Sequence, residues 1–90
     1  MVHFIKATDL QGNPKHVGTH LSDCPTGDWL YGPEYLKPGY PIMFVYDDGS
    51  DKMMRSSDIT NVNITKLNRV IKYRIETRNT IYYFEEENNE

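Results

Sequence analysis

The sequence predicts an all-β chain: a small curled antiparallel meander, barrel or half-barrel, with one short helical turn. Three observations carry this expectation. Residues 70–77 alternate with a period of two, Ile71, Tyr73, Ile75 and Thr77 on one face and Lys72, Arg74 and Glu76 on the other, which is the pattern of a half-buried strand. Asp48-Gly49 is the strongest hairpin signal in the chain. Strand-like segments follow one another from residue 40 to residue 87 with only short connections, and short connections join antiparallel neighbours.

Taken in order, residues 2–7 form a candidate strand that adds to the sheet. Beyond them Gly12-Asn13-Pro14, Gly18, Pro25, Gly27, Gly32-Pro33 and Pro38-Gly39 interrupt any longer element. Residues 1–39 are therefore expected to form an irregular flap, with Trp29, Leu30, Tyr31 and Leu36 closing one end of the sheet. Within it, Pro33-Glu34-Tyr35-Leu36 predicts a helical turn with Pro at its first position. Residues 40–46 are apolar on both faces, as in a strand that is central or covered by another layer. The Asp48-Gly49 turn leads to a short strand near residues 52–55. Residues 58–66 form the next strand with Val62 and Ile64 facing inward. Ile59 is out of phase with them, which predicts either a bulge near Thr60-Asn61 or a strand that starts later.

The last two strands, 70–77 and 80–86, are joined by Arg78-Asn79. If that loop has two residues, Thr77 faces Thr80, Ile75 faces Tyr82 and Tyr73 faces Phe84, while Lys72 opposes Glu85 and Arg74 opposes Tyr83 on the other face. Cross-strand pairs of this kind contribute roughly 0.2–1 kcal/mol each. One domain over residues 1–87 is expected, flap 1–39 and meander 40–87, with 88–90 as a frayed acidic tail.

A small meander that curls to bury one face resembles the SH3-like barrels in architecture. Leu36-Lys37-Pro38-Gly39, the strand after it and Asp48-Gly49 make the turn–strand–hairpin that those barrels often use. The resemblance is general, covers part of the chain and implies a fold, an SH3-like barrel or half-barrel, but no function.

Composition narrows the classes. Ninety residues suffice for one domain, and a chain of that size buries only about 60% of its unfolded surface. An aromatic content of 12% supplies large burial per residue and argues against a disordered chain. The single cysteine, Cys24, excludes an intrachain disulfide framework. The N-terminus lacks the pattern of a signal peptide, and the longest apolar run, Ile42 to Tyr46, is far short of a membrane span. A cytoplasmic protein without membrane partners is the expectation. The net charge of −3 is unevenly placed, with Lys66, Arg69, Lys72, Arg74 and Arg78 close together and an acidic stretch from Glu85 to Glu90.

Four clusters are candidate sites. Trp29, Tyr31, Tyr35 and Tyr40 are interface-type aromatics gathered in one segment, and they serve equally well as the flap's own core. Lys72, Arg74, Arg78 and Tyr83 combine cations with an aromatic platform, as single-stranded nucleic-acid binders do; the acidic balance of the chain opposes that use. His16, His20 and Cys24 carry zinc-ligand chemistry at i, i+4, i+8, but Gly18 and Pro25 make a helix over that segment doubtful. Asp47, Asp48, Asp51 and Asp58 are carboxylates of the kind that hold divalent cations, and turn chemistry explains them better. No hydrolase, phosphate-loop or dinucleotide motif is present. The expectation is a non-catalytic protein-binding or accessory module with no cofactor, whose partner is another protein or a second copy in a homodimer. The alternative is a single-stranded nucleic-acid-binding domain that uses the C-terminal hairpin.

Overall fold

The computed structural model describes residues 1–88, apart from the side chain of Thr19. Six strands, β1 (Val2–Thr8), β2 (Thr26–Trp29), β3 (Pro41–Tyr46), β4 (Met53–Leu67), β5 (Val70–Thr77) and β6 (Ile81–Glu87), follow one another around a closed antiparallel barrel. The circle is completed by β1 pairing with β6. The chain is thus a small all-β barrel, closed rather than half-open. A five-residue helix, α1 (Thr19–Asp23), and one 3-10 turn (Pro33–Tyr35) interrupt the strands. They lie near opposite ends of β3: His20 of α1 stacks edge-on against Tyr46, and the segment after the turn leads through Tyr40 into Pro41.

The β5–β6 hairpin has the register that a two-residue Arg78-Asn79 loop dictates. Tyr73 opposes Phe84, Ile75 opposes Tyr82, Lys72 opposes Glu85 and Arg74 opposes Tyr83, and the Thr77 N–H closes the turn on Thr80 O at 2.8 Å. Alternation then sends Tyr73, Ile75, Thr77 and Phe84 into the interior. The expected bulge is present, since the β4–β5 register shifts between Ile59 and Asn61. Ile59 is thereby turned inward, only 2% exposed, while Val62 keeps its inner position half-buried. Ile64 differs from expectation. It lies beyond the closed part of the barrel and is 45% exposed.

Residues 52–55 and 58–66 are one continuous strand rather than two. The chain passes Ser56-Ser57 without a break because a side chain stands in for the ladder there: Ser56 Oγ accepts the Ile42 N–H at 2.9 Å, where the β3–β4 register shifts after Pro41. β3 itself is flanked by β2 and β4, with Ile42, Phe44 and Tyr46 buried.

The N-terminal segment is more than a flap. Besides β1 it supplies β2, a four-residue strand whose central Gly27 and Asp28 oppose strand formation by local preference. Packing overrides that preference. β2 lies so close to β3 that a Cβ on Gly27 would overlap Val45 O and sit 2.8 Å from Phe44 Cζ, so glycine is what lets the two backbones meet. Trp29, at the end of β2, reaches inward to Phe44, Tyr73 and Phe84. Leu36 joins the core, whereas Leu30 and Tyr31 remain exposed. Helix α1 exists to bury one side chain, Leu21, at 1% exposure.

The acidic C-terminal stretch is largely strand. Glu85, Glu86 and Glu87 belong to β6, where Glu85 opposes Lys72 and Glu86 accepts the Tyr73 hydroxyl at 2.6 Å. Of the expected tail, Asn88 is held by its N–H on Arg69 O at 2.7 Å, and Asn89 and Glu90 lie outside the described residues. Among the described residues no helix is long and apolar enough to cross a membrane.

Candidate functional site

The structure brings Trp29, Tyr31, Tyr35 and Tyr40 together around one groove of about 220 Å³. Each is placed by a different local cause. Trp29 is fixed by the pairing of β2 with β3, where it opposes Phe44. Tyr31 precedes Gly32, whose φ of 92° lets the chain reverse into the 3-10 turn. Tyr35 ends that turn, and Tyr40 follows the Pro38-Gly39 bend, where its carbonyl accepts the Ile59 N–H at 2.8 Å. The three tyrosine rings form a row, with centroids 5.8 Å apart from Tyr31 to Tyr35 and 5.9 Å from Tyr35 to Tyr40. Lys37 Nζ stands 5.2 Å over the Tyr40 ring.

Two lining residues are tied to the core and make the floor: half-buried Trp29 and Leu36, which is 6% exposed. The walls are exposed aromatics, Tyr31 at 60%, Tyr35 at 44% and Tyr40 at 44%, completed by Pro41 and Met43. The two sequence-based readings of this segment therefore divide by residue: Trp29 packs as core, and the tyrosines are free surface. Met43 was absent from the expected set. Its signal lies in the apolar outer face of residues 40–46, which the groove explains. Ligand cavities for drug-sized molecules span about 300–1,000 Å³, so a groove of 220 Å³ suits one or two inserted side chains better than a cofactor.

The basic cluster is gathered in part. Lys72, Arg74 and Tyr83 share one outer face of the β5–β6 hairpin and line a wider groove of about 400 Å³ with Lys6, which stands 4.9 Å over the Tyr83 ring. Arg78 sits apart in the hairpin turn. Two of the cations on that face stand beside carboxylates: Lys72 lies 3.9 Å from Glu85 and Arg74 3.8 Å from Glu76.

His16, His20 and Cys24 are not brought together. The helix begins after Gly18, at φ 116°, so His16 lies outside it and lines a separate depression near Phe4. His20 Nε2 is turned to Asp48 Oδ2 at 2.9 Å, and Cys24 Sγ faces Thr26 O at 3.9 Å. Among the described residues no three His, Cys, Asp or Glu side chains converge as a metal ion requires. The Asp47–Asp51 stretch is turn chemistry: Asp48 Oδ1 accepts the Ser50 N–H and hydroxyl. Those bonds, with His20 beside them, hold the Asp48 carboxyl below the usual carboxylate range.

No protein-family model, curated protein or solved structure matches this chain.

Proposed function

We propose that this protein is a non-catalytic protein-binding module whose docking surface is the groove of Trp29, Tyr31, Tyr35 and Tyr40. One observation carries the reading: three tyrosines that the fold has no need to bury stand in a row over an apolar floor. Exposed aromatics cost solvation wherever they are unpartnered, and Tyr and Trp are the side chains that anchor interfaces, because they give large contact area at little loss of conformational freedom. The occupant is a short segment of a partner protein that inserts an aliphatic or aromatic side chain against Leu36 and Met43. The tyrosine hydroxyls and Lys37 form a polar rim around it.

Trp29 is the only tryptophan in the chain and lines the groove, so its emission reports occupancy. Peptides selected from a random library against the folded protein should shift that emission and move amide resonances of residues 29–43. Tyr31→Ala and Tyr35→Ala should remove the binding while leaving the melting temperature within a few degrees. Selected peptides that bind both variants as well as the original, or variants that lose the fold, would refute the assignment.

A second reading, a single-stranded nucleic-acid binder, draws on Lys6, Lys72 and Arg74 around Tyr83. Glu76 and Glu85 on the same face weigh against it. Salt-sensitive amide shifts at those residues on adding a mixed single-stranded oligonucleotide would favour it.

A further inference from the structure

Strand β4 carries a stretch of open sheet edge. Up to Ile59 its far side is covered, since Pro41 pairs with Asp58, the Ile59 N–H bonds Tyr40 O at 2.8 Å and Gly39 N–H bonds Ile59 O at 3.0 Å. Past the bulge the strand leaves β3. Residues 60–67 pair with β5 on one side and, among the described residues, with no strand on the other. Every second residue of an antiparallel strand directs its N–H and C=O away from its partner, so this stretch presents a row of free backbone donors and acceptors. The corresponding side of β1 is covered by its own loop, through Phe4 N–H to Pro25 O and Lys15 N–H to Ala7 O.

Edges in soluble proteins are usually blunted by proline, by several charges or by a covering segment. Residues 60–67 hold no proline and one charge, Lys66. Instead they expose Ile64 at 45% and Leu67 at 52%. The charges flanking the edge are of opposite sign: Asp58 stands at its start, with Lys66 and Arg69 at its end. That arrangement is self-complementary. Two copies laid antiparallel bring the acidic start of each against the basic end of the other, twice over, whereas parallel pairing sets like charge against like.

We propose that this edge is the interface of a homodimer, in which β4 of each copy pairs antiparallel with β4 of the other across a two-fold axis near Ile64. Main-chain hydrogen bonds supply the affinity. The two-fold axis makes the contact isologous and closed, so assembly stops at two copies. Ile64 of each copy meets its counterpart near the axis, and Asp58 of each lies within reach of Arg69 of the other.

The test is sedimentation of the intact chain over a range of concentrations. A reversible monomer–dimer equilibrium is expected, weakened by added salt. Ile64→Lys, Asp58→Arg and Arg69→Asp should each weaken it on the order of tenfold or more, the equivalent of about 1.4 kcal/mol, with the β-type circular dichroism unchanged. An equimolar mixture of Asp58→Arg and Arg69→Asp should regain the dimer, because both end contacts are then opposite in sign; a folding defect would not be repaired by mixing. A chain that stays monomeric at every concentration overturns the proposal and leaves the edge to a foreign strand. So does a dimer untouched by the edge variants, or one abolished by Tyr31→Ala, which would move the contact to the aromatic groove.

Discussion

The Trp29 indole stands edge-on to the Phe84 ring, with centroids 4.9 Å and planes 71° apart, and this contact links β2 to β6 through the interior of the barrel. The same indole meets Phe44 and Tyr73, yet its Nε1–H is buried with no acceptor among the described residues. Trp29→Ala is expected to cost about 3–5 kcal/mol, as for other large aromatics removed from a core. Trp29→Phe should cost far less, because it keeps a ring at the crossing and removes a donor whose unsatisfied burial costs about 1–3 kcal/mol. Denaturant melts of the two variants check this. Equal losses would mean that the indole's full outline, not an aromatic edge, is what the core requires.

Gly27 makes the close approach of β2 to β3. Gly27→Ala should destabilise by about 1–3 kcal/mol, the usual range for overpacking, because the added carbon meets the Val45 carbonyl and the Phe44 ring rather than a flexible side-chain tip. A shift of the denaturant midpoint with unchanged slope is the expected readout.

These two residues also show where sequence reading succeeds and where it stops. The β5–β6 register was legible because a two-residue loop and strict alternation leave only one pairing that buries Tyr73 with Phe84. The bulge was legible because Ile59 is out of phase with Val62. β2 was not, since Thr-Gly-Asp-Trp forms a strand only through contacts with residues distant in sequence. Helix α1 offered no capping signal and no periodic face, only Leu21. The aromatic groove was legible as a set because its four aromatics lie in one segment. Its far wall was not, because Met43 comes to it from β3, outside that segment. On the basic face, Lys72 with Glu85 followed from register, whereas Lys6 reaches Tyr83 only through barrel closure.

Asp48 predicts a pH dependence. Hydrogen bonds from the Ser50 hydroxyl and N–H, and the neighbouring His20, lower its folded pKa from the ordinary 3.8. A lowered folded value means that the stabilisation is present above the unfolded value and is lost as the pH falls through the folded one. Asp48→Asn should therefore show a shallower loss of melting temperature below about pH 4, while being less stable than the original at neutral pH. Parallel acid limbs for the two proteins would count against the Asp48 assignment.

Tyr73 acts at the other end of the scale. Burial, and then the Glu86 carboxylate that its hydroxyl bonds at 2.6 Å, push the phenol from 10.0 up to about 12. Here the folded value is raised, so the contribution is complete below the unfolded value and is lost as the pH rises towards the folded one. Stability should fall over that window, and Tyr73→Phe should fall less steeply from a neutral-pH starting point about 1 kcal/mol lower. Thermal melts of both proteins on the alkaline side decide the matter.

The barrel closes where β1 meets β6, and this seam governs how the domain can be made on a ribosome. The first strand to emerge completes its pairing only with the last: Val2 meets Gly27 early, but most of β1, from Val2 to Thr8, finds its partners in β6, between Ile81 and Glu86. Until Ile81 to Glu87 leaves the exit tunnel, the nascent chain holds Trp29, Phe44 and Tyr73 without Phe84 to cover them. Such late, non-local closure delays folding and leaves sticky surface exposed. Chaperone capture should therefore peak on chains halted just before the final strand.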